Sequence, residues 1–284
     1  MITLGKKIKM SENQKIILQR KKEHLELCAT DKVAFKNKST GFENYEFIHS
    51  AITEVDLKKI DLQTNFFDKI ISYPFLISCM TGGTSEADNI NLELAIAAKE
   101  LNVPIGLGSL RYAIGKNDYD EIFKEIKSSS GNVPILANIG AAQVCNSESF
   151  FDLQKLRDKT FADIFVIHLN PLQELLQPNG EPHFPNLISQ IEKFVKEISI
   201  PVIVKEVGSG ISAKDARIIL ETGVKGIDTA GAGGTSWAGV EMLRNEKEMN
   251  DYFWDWGLPT SHCIKNIFKL KKRYQFLLDR KSVV

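Results

Sequence analysis

From residue 74 onward, short apolar runs alternate with stretches of helical periodicity. Such alternation is typical of repeated βα units around a parallel sheet. Helices are predicted over 91–101 and over 212–222, where Ser212 is a capping residue. The strand candidates are 74–78, 104–108, 134–138, 164–168, 201–206 and 226–229. Periodicity alone fits both a closed barrel and a doubly wound open sheet.

Polar or glycine-rich clusters follow all six apolar runs, and their position separates the two architectures. A barrel draws its site from the ends of several strands, whereas an open sheet concentrates it at one switch point. The sequence therefore predicts an α/β protein with a (β/α)8 TIM barrel, about six of whose eight βα units are clearly present. The clusters are MTGG at 80–83, SLR at 109–111, Asn138, HLN at 168–170, Lys205-Glu206 and GAGGT at 231–235.

The bulk composition is that of an ordinary globular chain, with 284 residues, 43% of them hydrophobic. Thirty-six basic and 36 acidic side chains cancel, which argues against nucleic acid or an anionic membrane as partner. The four cysteines form no CxxC pair, so neither a structural zinc site nor a disulfide framework is expected. With no signal-peptide-like or membrane-spanning run in the sequence, a cytoplasmic location is expected. Met1 and Met10 are both possible starts.

The string HLNPLQELLQPNG begins at the end of the fourth strand candidate. His168 and Asn170 are two residues apart and project to one side of the chain. Gln173 and Glu174 lie in the segment that follows, so four polar groups are expected to converge. Each residue alone is also explained by a helix cap or a hydrogen-bonded core histidine.

Three further features are candidates for ligand binding, either because they are charged or because they let a ligand come close to the main chain. Lys205 either points into the barrel, where it needs an anionic partner, or faces solvent and pairs with Glu206. The loops at 80–83 and 231–237 contain glycines that allow a ligand to approach the main chain, or they are simply tight turns. Arg20 and His24 are at i and i+4 on a predicted helix. With Lys21 they form an arm that either clamps a diphosphate or is a solvated helix face.

Taken together, these motifs resemble the type 2 isopentenyl-diphosphate isomerases, flavin enzymes with a barrel fold. The resemblance extends to about residue 260. It rests on RKKEH at 20–24, IDLQTNFF at 60–67, PFLISCMTGGT at 74–84, GLGSLR at 106–111, ANIGAAQ at 137–143, HLNPLQELLQPNGEPHF at 168–184, VIVKEVGSGIS at 202–212 and IDTAGAGGTSW at 227–237.

The resemblance implies an allylic proton shift that interconverts isopentenyl and dimethylallyl diphosphate in isoprenoid biosynthesis. It also implies reduced FMN as acid and base, NADPH as the source of reducing equivalents, Mg2+, and a homo-oligomer. Residues 1–45 would form a basic arm with a substrate-phosphate motif, and 46–284 an incomplete FMN-binding TIM barrel. Neither nucleic acid nor a membrane is an expected partner.

The resemblance also assigns roles to individual residues. Catalysis would involve Gln173 beside the reacting carbons, His168, and Lys205, which would stabilise reduced flavin. Glu174 would ligate Mg2+. FMN would contact Met80, Thr81, Gly82, Gly83, Ser109, Asn138, Lys205 and Thr235. The substrate would contact Arg20, Lys21, Ser109, Arg111, His168, Asn170 and Gln173.

This sequence departs from the family pattern in three places. Leu110 and Ala230 replace a frequent glutamine and serine, which puts one hydrogen bond to FMN in doubt. A seventh strand is expected to begin within 274–278, but residues 279–284 replace the family's Ser-Gly-Gly loop. Strands one and six are then expected to have unpaired edges. The alternatives are an enzyme completed by a separate C-terminal fragment, an inactive truncated remnant, and another FMN barrel such as a 2-hydroxy-acid oxidase.

Overall fold

A computed structural model describes residues 12–147, 149–245 and 251–280, and both candidate start methionines lie outside these ranges. Ten α-helices are found in this part of the chain. They are α1 (Glu12–Cys28), α2 (Ser85–Leu101), α3 (Asp120–Ser130), α4 (Ala141–Cys145), α5 (Phe151–Thr160), α6 (Pro171–Leu176), α7 (Leu187–Glu197), α8 (Ala213–Glu221), α9 (Trp237–Arg244) and α10 (Thr260–Phe268).

The strands form a short antiparallel hairpin and one parallel sheet. The hairpin pairs β1 (Thr64–Phe66) with β2 (Lys69–Ile71). The sheet has the order β3-β4-β5-β6-β7-β8, with every neighbouring pair parallel. Its strands are β3 (Ile105–Ser109), β4 (Ile135–Gly140), β5 (Ile164–Leu169), β6 (Val202–Glu206), β7 (Gly226–Asp228) and β8 (Leu277–Asp279). Sequential parallel strands joined by helices are the arrangement of a (β/α)8 barrel.

Five of the six predicted strands are present close to their expected positions. The run at 74–78 is reduced to one parallel bridge between Ile77 and Ile105. The predicted seventh strand is present as β8, which pairs with β7. The expectation of an unpaired edge on the sixth strand was therefore wrong, because residues 277–279 cover that edge.

Local capping explains where the predicted helices begin. The Thr84 hydroxyl accepts a hydrogen bond from Ala87 N, so α2 starts six residues before its predicted start at 91. Ser212 caps α8 as expected by accepting from Asp215 N. Helix α2 ends at Leu101, because the next residue, Asn102, adopts the left-handed conformation that stops a helix.

Apolar side chains form two layers on either side of the parallel sheet. A smaller cluster fills the barrel interior and includes Leu136, Val166 and Ile203 from successive strands. Phe66 and Ile71 of the hairpin belong to the same cluster and plug the barrel at its amino-terminal end. A larger cluster lies between the sheet and the surrounding helices. The polar ends of the strands are thereby left as the accessible end of the barrel.

Within the described residues, no helix combines the length and apolar character needed to cross a membrane.

Candidate active site

A cavity lies over the carboxyl ends of the strands and under helix α1. It is lined by most of the residues predicted for the site, namely Arg20, Lys21, Met80, Thr81, Gly82, Ser109, Arg111, Asn138, His168, Asn170, Gln173, Glu174 and Lys205. Of the predicted residues, Gly83 and Thr235 do not line this cavity. Thr235 instead forms an antiparallel bridge with Ala34. Residues that are as far apart in the sequence as 20 and 205 therefore line one cavity.

Lys205 points into the barrel and is only 3% exposed. Its ammonium donates to the carbonyl oxygen of Glu206 at 3.2 Å. The Glu206 carboxylate turns away and accepts from the main-chain N–H groups of Gly208, Ser209 and Gly210. Of the two alternatives for Lys205, the inward one is confirmed. A buried ammonium with one hydrogen bond in the described residues keeps donors for a bound anion.

Carboxyl side chains from the last two strands lie behind Lys205. Asp228 and Asp279 are register partners on β7 and β8, and both line a small interior cavity with Lys205. Burial and the neighbouring Asp228 carboxylate raise the pKa of Asp279 to about 7. The charge of Lys205 at the barrel centre is therefore partly balanced by the carboxyl groups of Asp228 and Asp279.

Three hydrogen bonds fix the polar groups at the ends of β4 and β5. His168 Nδ1 lies 2.9 Å from Asn138 Oδ1, which orients the imidazole with Nε2 away from that amide. Asn170 Nδ2 donates to Gln173 Oε1 at 3.2 Å and to Glu174 Oε1 at 3.0 Å. Proline at the first position of α6 is compatible with the helix start and places residues 173 and 174 in its first turn.

The Glu174 carboxylate is nearly buried and already accepts hydrogen bonds at both oxygens. Oε2 accepts from Glu181 N at 2.7 Å and from Gln177 Nε2 at 3.3 Å. Oε1 accepts from Asn170 and retains a free lone pair. No cluster of three or more metal-binding side chains occurs in the described ranges. The residues therefore fit Mg2+ only as one carboxylate sharing the ion with water and phosphate oxygens, a usual arrangement for this metal.

Helix α1 presents a partly buried cationic pair, Arg20 and Lys21, to the cavity. Burial, then the charges of Arg111 and Arg244, lower the pKa of Arg20. Burial and the adjacent Arg20 lower the pKa of Lys21 to about 7. Lys21 donates to the carbonyl oxygens of Gly82 and Ser109, and its ammonium lies 4.4 Å from the centre of the Tyr112 ring. These cations are destabilised in the free protein, and a bound anion would relieve that destabilisation.

Sequence reasoning missed Glu241, a completely buried carboxylate on α9. Its Oε1 lies 2.9 Å from His24 Nε2 and accepts from Gln173 Nε2 at 3.0 Å. Arg244 completes the cluster through an ion pair with the same carboxylate. Burial opposes ionisation, but the bonds from His24 and Gln173 and the Arg244 charge outweigh it and lower the pKa of Glu241. Glu241 thus joins the arm directly to Gln173.

Tyr112 and Glu181 were also missed, although Tyr112 directly follows the motif at 106–111 and Glu181 lies within the motif at 168–184. Tyr112 packs its ring under Lys21 and beside Gly83, where a Cβ atom would be only 2.7 Å from the ring. Glu181 forms an ion pair with Arg111 and lies 3.4 Å from Gln143. The available signals were adjacency to GLGSLR for Tyr112 and, for Glu181, its position inside HLNPLQELLQPNGEPHF.

Comparison with known proteins agrees with this geometry. A sequence profile of FMN-dependent dehydrogenases matches residues 14–116. Among solved structures, a lactate oxidase from Pediococcus acidilactici superposes with a TM-score of 0.59 at 14% identity, covering 97% of this chain and 76% of the oxidase. A mandelate oxidase superposes with a TM-score of 0.59 at 15% identity, covering 94% and 78%. At this identity the structures show the barrel fold alone.

Sequence relatives are much closer. An isopentenyl-diphosphate delta-isomerase from Pelodictyon phaeoclathratiforme is 40% identical over 89% of this chain and 74% of its own length. The enzyme of that name from Oceanobacillus iheyensis is 42% identical over 89% and 74%. The one from Rickettsia canadensis is 39% identical over 94% and 79%. This chain belongs to the isopentenyl-diphosphate delta-isomerase family.

Proposed function

We propose that this protein interconverts isopentenyl and dimethylallyl diphosphate by moving an allylic proton. The observation that carries the proposal is the juxtaposition of a partly buried cationic pair, Arg20 and Lys21, with Gln173 in one cavity. The substrate is inferred from the name of the sequence relatives, isopentenyl-diphosphate delta-isomerase. A diphosphate needs strong donors at one end of the cavity, and a hydrocarbon tail needs a site where water is excluded at the other.

The diphosphate is held at the rim of the cavity. Arg20 and Lys21 approach from α1, and Arg111, His168 and Asn170 approach from the strand ends. Arginine and lysine form charge-assisted hydrogen bonds with phosphate oxygens, about twice as strong as neutral ones. Because Arg111 is already paired with Glu181, substrate binding competes with that ion pair. Arg20 and Lys21, whose pKa values are lowered in the free protein, are the cations that a bound diphosphate stabilises most.

Glu174 would hold Mg2+ together with the substrate phosphates. Its second oxygen is fixed by Glu181 N and Gln177, which leaves Oε1 facing the cavity with Asn170. A single protein carboxylate is sufficient when phosphate and water complete the octahedron. The metal ion would then neutralise charge that the arm cations leave unbalanced.

Lys205 would hold the FMN ring at the floor of the cavity, because its buried ammonium keeps unused donors for an anion. When bound and reduced with NADPH as the source of electrons, FMN supplies the acid and base chemistry of the proton shift. We place Met80, Thr81, Gly82, Ser109 and Asn138 along it, with Gly83 and Thr235 in the adjoining loops. A Cβ atom at Gly108 would overlap the Thr81 main chain, so this glycine lets the 79–83 loop lie against β3.

Gln173 orients the alkene rather than exchanging its proton, because an amide is not a useful base in water. Its amide is fixed in direction, since Nε2 donates to Glu241 and Oε1 accepts from Asn170. This arrangement leaves one N–H of Gln173 to contact the substrate. His168, held by Asn138, is a second group at the reacting end and donates to the diphosphate.

Substrate recognition separates this function from that of a 2-hydroxy-acid oxidase, the fold's other candidate chemistry. Such an oxidase requires neither the arm cations nor a metal carboxylate, yet Arg20, Lys21 and Glu174 all line the cavity. We further propose a cytoplasmic homo-oligomer, with residues 1–45 acting as the phosphate-binding arm of the barrel at 46–284.

Flavin absorbance and isomerase turnover test the proposal together. The purified chain, incubated with FMN, NADPH and Mg2+, should retain flavin and convert isopentenyl diphosphate. Gln173→Ala should leave the flavin spectrum unchanged and lower turnover at least about a hundredfold. Gln190→Ala, on the outer helix α7, is the matched control and should be unaffected. A protein that binds no FMN, or full turnover in Gln173→Ala, would contradict the assignment.

A further inference from the structure

The Glu181 carboxylate occupies two donors in the wall of the active-site cavity. Arg111, which follows β3, forms an ion pair with one of its oxygens. Gln143, on α4, has its Nε2 atom 3.4 Å from the other oxygen. Arg111 and Gln143 line the cavity, whereas Glu181 does not. Two donors that face both oxygens of one carboxylate are equally suited to two oxygens of a phosphate group.

Main-chain contacts hold Glu181 in this place. Its N–H donates to Glu174 Oε2 at 2.7 Å, and the Gly180 N–H donates to the carbonyl oxygen of Gln177 at 3.0 Å. A Cβ atom at Gly180 would lie only 2.0 Å from the carbonyl oxygen of Glu174, so glycine lets this loop fold back onto α6. None of these contacts involves the Glu181 side chain. The carboxylate is therefore able to leave Arg111 while the loop stays in place.

Arg111 does not need Glu181 to stay at the cavity. Its neighbours in the chain, Leu110 and Tyr112, are only 1% and 6% exposed. The Leu110 N–H donates to the carbonyl oxygen of Asn138 at 2.8 Å, which ties this segment to β4. The main chain on both sides of Arg111 is thus fixed by packing and hydrogen bonding. The ion pair with Glu181 instead occupies the guanidinium.

The ion pair between Arg111 and Glu181 is weak enough for a ligand to displace. The two side chains are 26% and 39% exposed, so solvent screens their attraction. A second cation, Arg20, lies close enough to Arg111 for the Arg111 charge to lower its pKa. A diphosphate carries several negative charges and has both arginines in the wall of its cavity. The single charge of Glu181 is paired with Arg111.

We propose that Glu181 is a built-in competitor of the substrate diphosphate and thereby sets the affinity of the phosphate site. This rests on the function proposed above, which places the diphosphate beside Arg111. In the free protein the carboxylate occupies Arg111 and Gln143. Phosphate oxygens replace it on both donors, the Glu181 side chain turns toward solvent, and its N–H continues to hold Glu174. An anion that binds Arg111 less strongly than this carboxylate is kept off the guanidinium, so Glu181 determines specificity.

Binding of pyrophosphate tests the competitor. The probe is inorganic pyrophosphate, titrated calorimetrically into the full chain in EDTA, so that no metal ion contributes. Glu181→Gln keeps the shape of the side chain and the main-chain bond to Glu174 but removes the charge. We expect its dissociation constant to be at least about fivefold lower than that of the wild type. A residue that merely positions Arg111 would have the opposite effect, so equal or weaker binding by Glu181→Gln would overturn the proposal.

Two further variants show whether the effect passes through Arg111. Glu121→Gln is the matched control, because this exposed carboxylate on α3 is paired with Lys124 outside the cavity. Its affinity for pyrophosphate should equal that of the wild type. In an Arg111→Met background, Glu181→Gln should give no gain in affinity, since the donor that the carboxylate occupies is gone. A gain of the same size in that background would contradict the competitor.

The same titrations separate this inference from the function proposed above. If the wild type binds pyrophosphate and Glu181→Gln binds it no more tightly, the competitor is refuted and the phosphate site stands. If neither protein binds pyrophosphate, the phosphate site is refuted, and the proposed function with it. Circular dichroism spectra of all variants establish that each chain titrated is folded.

Discussion

Binding of the diphosphate should be coupled to uptake of a proton by Lys21. In the free protein, burial and the neighbouring Arg20 lower the pKa of Lys21 to about 7. A bound diphosphate favours the charged form and returns the pKa toward the usual lysine value of about 10.4. At pH 8 the free side chain is about one-tenth protonated, so binding takes up about 0.9 proton. At pH 6 the uptake falls to about 0.1.

Isothermal titration calorimetry measures this uptake directly. The apparent enthalpy of isopentenyl diphosphate binding is compared in two buffers that differ in ionisation enthalpy, at pH 6 and at pH 8. By linkage, the dissociation constant should also rise about tenfold between pH 8 and pH 9. Burial lowers the pKa of the His24 imidazole below its usual value, so His24 contributes no proton uptake at pH 8 or above.

Lys21→Arg is the control, because a guanidinium remains charged at every pH used. The variant should bind without the extra proton, and the ligand's own ionisation is common to both proteins. Equal proton uptake by wild type and Lys21→Arg would refute the reasoning. The lowered pKa of Lys21 also determines how the stability of the unliganded protein changes with pH. The folded-state pKa lies below the unfolded value, so the free energy of unfolding should rise as pH increases from about 7 toward 10.5.

Two further substitutions test the structure around the site. Glu241→Gln leaves Arg244 without its buried partner and should lower the free energy of unfolding by about 3–5 kcal/mol in urea titrations. The pKa of Glu241 is lowered in the folded protein, so the wild type loses stability as the pH falls through the folded-state pKa of this carboxyl group. The free energy of unfolding of Glu241→Gln should therefore depend less on pH in the acid range. The second substitution is at Gly233, which has a positive φ of +119° that side chains other than glycine rarely adopt. A Cβ atom at this position would also overlap the Thr40 main chain. Gly233→Ala should therefore lower the thermal midpoint, and an unchanged midpoint would contradict that packing.

The positions that the sequence predicted well are those fixed by short-range rules. A parallel strand places the residues after it at the same end of the sheet as its neighbours' ends. His168, Asn170 and Lys205 were therefore expected to meet before any contact was known, and all three line the cavity. The direction of Lys205 was left open, because VKE alone does not say which face of the strand is buried.

Long-range pairings account for what the sequence did not predict. Strand β8 lies beside β7 although 48 residues separate Asp228 from Leu277. Three-residue strands have too little periodicity to reveal their partners, so the sixth strand was wrongly expected to be an edge. Glu241 shows the same limit, because its partner His24 is 217 positions away. A glutamate on an amphipathic helix reads as solvent-exposed until tertiary contacts bury it.

Burial of Glu241 explains how a polar arm reaches a deep site. Helix α1 has few apolar residues to anchor it, and its cations at 20 and 21 repel each other when desolvated. The Glu241 carboxylate offsets this by accepting from His24, and Arg244 extends the pairing to Glu23 at 2.8 Å. The same carboxylate holds Gln173. One buried charge thereby fixes both the phosphate-binding arm and the residue beside the reacting carbons, so loss of arm docking should also misorient Gln173.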